Sequence, residues 1–308
     1  MIRHLLADDD LSPAEQAEVL ALAAEIKRDP FSRRPLAGPS TVAMIFDKQT
    51  LRTQASFSAG IAELGGFPLV VDGALAGVGV RESVPDVARV LGRQAAAIVW
   101  RTGAQSRLEE MAEHAGVPVV NALTDDYHPC QLLADLLTVS EHRGPLRGLV
   151  VAFVGDGACN MGSSWLLAGA TAGMHVRIGA PAEFQPSTGV VERAAAIAVT
   201  TGGSVAVLDD PVKAVSGADV VVTDTWVSMG REAESGDRLA ALAPFSLTAE
   251  LLAHAEPDAI VMHCLPAYRG QEIAAEVLDG PRSVVWDEAE NRRHAQKAVL
   301  TWLLEART

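Results

Sequence analysis

The chain has 308 residues, 49% of them hydrophobic but only 5% aromatic, which suits two domains of about 150 residues each with cores of Ala, Val and Leu. A formal net charge of −14 argues against a broad nucleic-acid-binding or anionic-membrane surface, but not against a small anion held by a few convergent arginines. Three scattered cysteines, Cys130, Cys159 and Cys264, without a Cys-x-x-Cys pair, suggest neither a zinc cage nor a disulfide framework. Reduced cytoplasmic thiols are the simplest reading. The N-terminus has no apolar core of signal-peptide length, and no stretch approaches the roughly 18 apolar residues of a membrane span. A soluble cytoplasmic protein with no membrane or nucleic-acid partner is expected.

Short apolar runs alternate with amphipathic, Ala-rich stretches along the chain. Ser12-Pro13 is a helix start, with Ser12 as N-cap and Pro13 in the first turn, and the helix runs to about Arg28. Val42–Phe46 reads as a buried strand, and Thr53–Leu64 as a helix closed by Gly65-Gly66. Leu69–Val71, Ala97–Trp100 and Val117–Val120 repeat the strand pattern, with helices near Ser83–Leu91 and Gln105–His114. A helix from about His128 to His142 precedes a polar break at Arg143-Gly144-Pro145. A second series of strands follows at Leu149–Val154, Val176–Gly179, Val205–Leu208, Val220–Val222, Ile260–Met262 and Val284–Trp286, and a last helix runs from Glu288 to near Glu305. Near-continuous rather than alternating apolar runs are expected when helices cover both faces of a parallel sheet. The fold class is therefore α/β, with two open parallel-sheet domains joined by helices, at residues 1–143 and 144–308. In such sheets ligands bind beyond the carboxyl ends of the strands.

The residues at those ends carry the chemistry. After the first strand comes Thr50-Leu51-Arg52-Thr53-Gln54, leading into a helix whose amides, hydroxyls and arginine suit a phosphate; the threonines also serve as ordinary caps. Arg101-Thr102 follows the third strand. His128-Pro129-Cys130-Gln131 opens a helix with His128 and Gln131 three apart on one face. Gly155-Asp156-Gly157 leads to Asn160, where a dinucleotide fingerprint would need glycine, and no acidic residue ends the next strand. Asp224 follows Val220–Val222, which suits a turn or cap as well as a ligand. Cys264 in His263-Cys264-Leu265-Pro266 suits a buried hydrophobe as well as a reactive thiol. Acidic Asp287, Glu288 and Glu290 complement the start of the last helix, whereas Arg292, placed in its first turn, opposes the dipole.

Taken in order, these motifs resemble the aspartate/ornithine carbamoyltransferase family, on its ornithine side. The Asp224-Thr225-Trp226-Val227-Ser228-Met229-Gly230 string matches that branch's Asp-x-x-x-Ser-Met-Gly signature. The resemblance implies transfer of a carbamoyl group from carbamoyl phosphate to the δ-amine of L-ornithine, a step of arginine biosynthesis, without metal or organic cofactor, in a homotrimer. It implies carbamoyl phosphate contacts from Thr50, Leu51, Arg52, Thr53, Gly77, Arg101, His128, Gln131, Cys264, Leu265 and Arg292. Ornithine contacts are implied for Asn160, Asp224, Ser228 and Met229, and catalytic roles for Arg101, His128, Asp224 and Cys264. It also implies that the last helix, about 288–306, returns to the first domain. Four positions depart from the family: Leu51 replaces a hydroxyl of Ser-Thr-Arg-Thr-Arg, Gln54 its outer arginine, Gly77 a loop glutamine and Cys159 an asparagine. These leave open an inhibitor-resistant variant, a paralogue acting on another amine, or a silent ornithine-binding relative.

Overall fold

A computed structural model describes residues 2–48, 50–227 and 235–305. The chain forms two compact units, Met1–Leu137 with Glu290–Thr308, and Thr138–Ala289. The predicted Ser228, Met229 and Gly230 lie outside the described residues.

The first unit opens with α1 (Pro13–Arg28), whose start is a reciprocal cap. Ser12 Oγ accepts from the Glu15 amide at 3.3 Å, and the Glu15 carboxylate accepts from the Ser12 amide at 2.8 Å, which satisfies two amides that the helix leaves unpaired. There follow β1 (Thr41–Phe46), α2 (Arg52–Glu63), β2 (Phe67–Asp72), α3 (Gly73–Ala76), α4 (Val84–Leu91), β3 (Ala97–Arg101), α5 (Gln105–Ala115), β4 (Val119–Leu123) and α6 (Pro129–Arg143). The four strands are parallel in the order β2-β1-β3-β4. Alternate residues of each strand feed opposite faces, which explains the unbroken apolar runs. Val42 and Met44 pack with Phe57, Ile61, Leu133 and Leu137 on one side. Ala43, Ile45 and Trp100 pack with Ala88, Leu108 and Met111 on the other.

The second unit holds β5 (Val150–Val154), α7 (Asn160–Thr171), β6 (His175–Gly179), α8 (Thr188–Thr201), β7 (Ser204–Leu208), α9 (Pro211–Val215), β8 (Val220–Thr223), α10 (Ser235–Leu242), α11 (Ala249–Leu252), β9 (Ile260–His263) and α12 (Ala275–Leu278). Its parallel sheet runs β7-β6-β5-β8-β9. Both sheets therefore reverse their direction of winding once, between β1 and β3 and between β5 and β8. A crevice at such a switch point is where open α/β sheets bind ligands, and most of the singled-out residues follow these strands and their neighbours.

The last helix, α13 (Val285–Glu305), corrects two expectations. Val284–Trp286 is not a strand: only Ser283 bridges to Val261, and the chain turns helical at Val285. Three apolar residues are too few to tell a strand from the first turn of a helix. Arg292 consequently sits in the third turn rather than the first, so its position owes nothing to the helix dipole. From Glu290 the helix belongs to the first unit, where Ala295, Ala298, Val299 and Leu303 join the core of α1, α2 and α6.

Among the described residues, no helix is long and apolar enough to cross a membrane. The core of the first unit does hold a buried cation. Lys297 is fully buried, and its Nζ donates to Glu63 Oε2 at 2.6 Å and to the Pro30 carbonyl at 2.5 Å. Arg293 of the same helix also reaches Glu63, at 3.2 Å. Removing the carboxylate strands a desolvated ammonium, so Glu63→Ala is expected to cost about 3 kcal/mol. Lys297→Met in that background recovers part of the loss, because an apolar side chain carries no desolvation penalty. Denaturant titration of the single and double variants measures both effects.

Candidate active site

In the first unit the singled-out side chains meet around one buried guanidinium. Arg292 donates through Nη2 to Thr53 Oγ1 at 2.9 Å and through Nη1 to Gln131 Oε1 in a shorter bond. Thr53, Gln131 and Arg292 are all buried. Gln131 is oriented from its other end, since its Nε2 donates to Asp135 Oδ1 at 2.7 Å, one turn along α6. The Gln131 carbonyl oxygen has a second lone pair, so it can accept from Arg292 and from a ligand amide together. Arg101, at the end of β3, makes a long 3.5 Å contact to the same Thr53 hydroxyl. His128 is buried immediately before α6, and its carbonyl accepts from the Gln131 amide at 2.9 Å. Pro129 opens that helix without a helix hydrogen bond to lose.

Electrostatics decide the state of the histidine. Burial holds the His128 imidazole well below its usual range, and the Arg292 and Arg101 charges push it further down. It is therefore a neutral hydrogen-bonding group near neutral pH, beside two fixed cations. Such a cluster suits an oxygen that gains negative charge during reaction. Cys130, despite its place in the motif, faces the core: burial pushes its thiol up to about 12, which leaves it inert as a nucleophile.

The phosphate-loop positions differ among themselves. Arg52 and Thr53 open α2, with Thr50 half-buried just before them. Leu51 occupies the cap position with no side-chain hydrogen bond to the helix, and the residue is 78% exposed. Gln54 is half-buried in the first turn. Gly77 is not in an open loop. It closes α3 with φ 66°, and an added Cβ would lie 2.9 Å from Arg81 Cβ. A glutamine there costs roughly 1–2 kcal/mol in backbone strain alone, so this departure belongs to the local fold.

In the second unit, Asp224 follows β8 and Cys264 follows β9, and the two meet. Cys264 Sγ donates to Asp224 Oδ1 at 3.2 Å, and the Thr225 amide donates to the same oxygen at 2.8 Å. Burial raises the Asp224 carboxyl above its ordinary value, and this outweighs the lowering by His263 and by the bonds from Cys264 and Thr225. Asn160 is the first residue of α7, half-buried. Cys159 precedes it, its thiol pushed well above the usual range by burial and by the Asp156 and Asp224 carboxylates.

The turn that carries Cys264 is held by groups that sequence reasoning passed over. His263 Nδ1 accepts from the Leu265 amide at 2.9 Å, which leaves the proton on Nε2, 3.2 Å from Glu272 Oε1. Glu288 accepts from the His263 amide at 2.9 Å. These bonds hold Leu265 at φ 59°, a left-handed conformation that a leucine adopts only under constraint. Ligand atoms of Asp224, His263 and Cys264 lie within 4.8 Å of one another, a donor set compatible with zinc. Both His263 nitrogens are already engaged, so the geometry favours a hydrogen-bonded cluster. Arg238 was also missed. Buried, it bonds Asp156 through Nη2 and the Trp226 carbonyl through Nε at 3.0 Å, and stacks 4.7 Å over Phe184. It thereby ties the turn before Asn160 to the segment after Asp224. Nothing in its neighbours Gly236 and Asp237 announces this; only the buried partners do.

Two family models match the chain. The carbamoyl-P binding domain of aspartate/ornithine carbamoyltransferase covers residues 3–141, and the Asp/Orn binding domain covers residues 147–303. A protein of Clavibacter michiganensis subsp. michiganensis named ornithine carbamoyltransferase is 66% identical over 304 residues, 99% of each chain. One of the same name from Renibacterium salmoninarum is 60% identical over 309 residues, again 99% of each. Among solved structures, the ornithine carbamoyltransferase of Pyrococcus furiosus superposes with a TM-score of 0.93 at 42% identity, covering 97% of this chain and 96% of its own. That of Gloeobacter violaceus gives 0.89 at 44%, covering 98% of both.

The raised Asp224 carboxyl carries a stability signature. A carboxyl whose folded pKa exceeds its unfolded value supports the fold fully at pH below the unfolded value of about 3.9, and loses that support as pH rises through the folded value. At neutral pH the partly desolvated carboxylate is thus a net cost to the unliganded fold. Asp224→Asn, which keeps an acceptor for Cys264, is expected to raise the thermal midpoint at pH 7, with the gain shrinking as the pH is lowered toward 4. Differential scanning calorimetry across that range, without ligand, reads the effect.

Proposed function

This chain belongs to the aspartate/ornithine carbamoyltransferase family, and we propose that it transfers the carbamoyl group of carbamoyl phosphate to the δ-amine of L-ornithine. The amine nitrogen forms a bond to the carbonyl carbon, the carbon–oxygen bond to phosphate breaks with its electron pair leaving on the phosphate oxygen, and the proton lost by the amine ends on phosphate or solvent. The products are L-citrulline and phosphate. What carries the reading is the buried cluster in the first unit, where Arg101 and Arg292 converge on Thr53 beside a neutral His128. Cations and neutral donors in one cluster of side chains suit a carbamoyl phosphate, which joins a dianionic phosphate to a polar carbonyl.

In this reading Thr50, Arg52, Thr53 and the amides at the start of α2 bind the phosphate, with Leu51 contributing its backbone. Arg101, His128 and Arg292 donate to the carbonyl oxygen, and Gln131 accepts from the carbamoyl NH₂. Their work is orientation and stabilisation of developing negative charge. Gly77 contributes backbone only. In the second unit Asn160 and Asp224 bind the α-amino acid end of ornithine, with Ser228 and Met229 completing the site. The family resemblance gives Cys264 a contact to the side-chain amine, and Cys264 and Leu265 contacts to carbamoyl phosphate. The δ-amine, with a pKa near the ~10.4 of lysine, attacks only when neutral, and in this reading the Asp224–Cys264 pair takes part in removing its proton. The first domain thus holds the donor and the second the acceptor, in a step of arginine biosynthesis.

A homotrimer fits the surface of the first unit. Strand β2 is a sheet edge, and Phe67 and Val70 on it are exposed, as are Leu75 and Val80 just beyond. An apolar sheet edge invites pairing unless it is covered. Sedimentation should give three times the 32.4 kDa chain mass. The thiols of Cys130, Cys159 and Cys264, none of them in a disulfide, suit a reducing cytoplasm.

The direct test is citrulline formation from L-ornithine and carbamoyl phosphate. Turnover is expected; no product at saturating concentrations of both, with ornithine still bound, would sink the enzyme reading. The double variant Leu51→Thr with Gln54→Arg should lower the KM for carbamoyl phosphate by about tenfold, the size of one charge-assisted hydrogen bond. An unchanged KM would show that the backbone amides and Arg52 already saturate the phosphate.

A further inference from the structure

Beyond the donor residues themselves, one ion pair in the first unit gathers three segments that lead to them. Asp47, directly after β1, accepts from Thr102 Oγ1 at 2.7 Å, from Arg107 Nη1 at 3.0 Å and from Trp100 Nε1 at 3.2 Å. Its own amide donates to the Arg101 carbonyl at 2.9 Å. Arg107, in the first turn of α5, spreads its guanidinium over the same place. Its Nη1 also donates to Thr102 Oγ1 at 3.0 Å, its Nη2 donates to the Val78 carbonyl at 2.6 Å, and it stacks 5.0 Å over the Trp100 ring.

The surrounding glycines are cut to fit this pair. A Cβ on Gly73 would lie 2.0 Å from Asp47 Oδ1, and one on Gly79 would lie 3.1 Å from Arg107 Nη2. Arg107 therefore bonds the turn Gly77–Gly79 by its backbone. Asp47 bonds the chain that runs on to Thr50–Thr53, and both grip the β3 end that presents Arg101. A planar guanidinium presents its donors in a rigid fork and also stacks on an aromatic face, so it fixes the directions of its partners more firmly than a compact ammonium does. The Arg107–Asp47 pair is only partly exposed, at 33% and 15% of the side chains, so its geometry is set by the protein more than by water.

We propose that Arg107, acting through Asp47 and the Val78 carbonyl, is a positioning residue for the carbamoyl-phosphate half of the site. It sets the Gly77–Gly79 turn and the approach to Thr50–Thr53 against the strand end that carries Arg101. This rests on the carbamoyl-transfer reading above. It also supplies what the Gly77 departure removes: where a side chain would reach from the turn, the turn itself is clamped by its backbone. Arg101 remains in its strand by β-pairing with β1 and β4, so loss of the clamp loosens donor binding more than it harms the chemical step.

The test uses the full chain, with Arg107→Met, Arg107→Lys and Gly73→Ala, the last displacing Asp47 from the other side. Arg107→Met and Gly73→Ala should each raise the KM for carbamoyl phosphate by about tenfold, with kcat and the ornithine KM within about twofold of the parent, the pattern of lost uniform binding to one substrate. Arg107→Lys should fall between. Calorimetric titration with carbamoyl phosphate should reproduce the order without relying on turnover. An unchanged carbamoyl phosphate affinity in Arg107→Met overturns the proposal. So does a loss shared equally by kcat and both KM values that tracks a lowered melting temperature, which marks a merely structural residue. An inactive parent chain that still binds carbamoyl phosphate less tightly on Arg107→Met would overturn the carbamoyl-transfer reading and leave the positioning role standing.

Discussion

A guanidinium cannot be buried cheaply, and Arg292 is buried almost completely. Its charge is tolerated because Thr53 and Gln131 accept from it, and Gln131 is itself fixed by Asp135. A half-satisfied network of this kind would destabilise the core more than apolar side chains would. The requirement reaches far along the chain. Thr53 comes from the start of α2, Gln131 from α6 and Arg292 from α13, so these three helices must pack together for any of the three side chains to be satisfied. The apolar face of α13, through Ala295, Ala298, Val299 and Leu303, holds the last helix in the first unit. The same arrangement sets His128 beside two cations and keeps it neutral. Fold and donor chemistry are coupled at this point.

The second unit solves the opposite problem, a partly buried anion. Asp224 receives bonds from the Thr225 amide and the Cys264 thiol, and these do not offset its loss of water, so its carboxyl stays raised. An ammonium ligand would complete what the protein leaves short. The strain at Leu265 belongs to the same design. His263, Glu272 and Glu288 over-determine the turn, and backbone held away from its preferred region in this way is found at functional sites.

Much of this was legible in the sequence, for identifiable reasons. Buried parallel strands read as unbroken apolar runs, so the order of β1 to β9 and the strand-end positions of Arg101, Asp224 and Cys264 followed from pattern alone. The start of α1 was legible because Ser12 caps it locally and Pro13 suits its first turn. What failed had no local signal or an ambiguous one. Val284–Trp286 was too short to distinguish strand from helix, and that error moved Arg292 to the wrong turn. At Gly77 the absent side chain was legible, but the positive φ with which it closes α3 was not. Arg107, Arg238, Asp135, Glu272 and Glu288 matter through partners distant in the chain or through buried geometry, and residue type alone does not reveal that.

Arg292 organises the donor site. Calorimetric titration of carbamoyl phosphate into Arg292→Lys, with the native fold verified by circular dichroism, tests it most directly. A lysine keeps the charge but cannot bond Thr53 and Gln131 while reaching a ligand, so affinity should fall by about a hundredfold, near 2.7 kcal/mol. Affinity within twofold of the parent chain would contradict it.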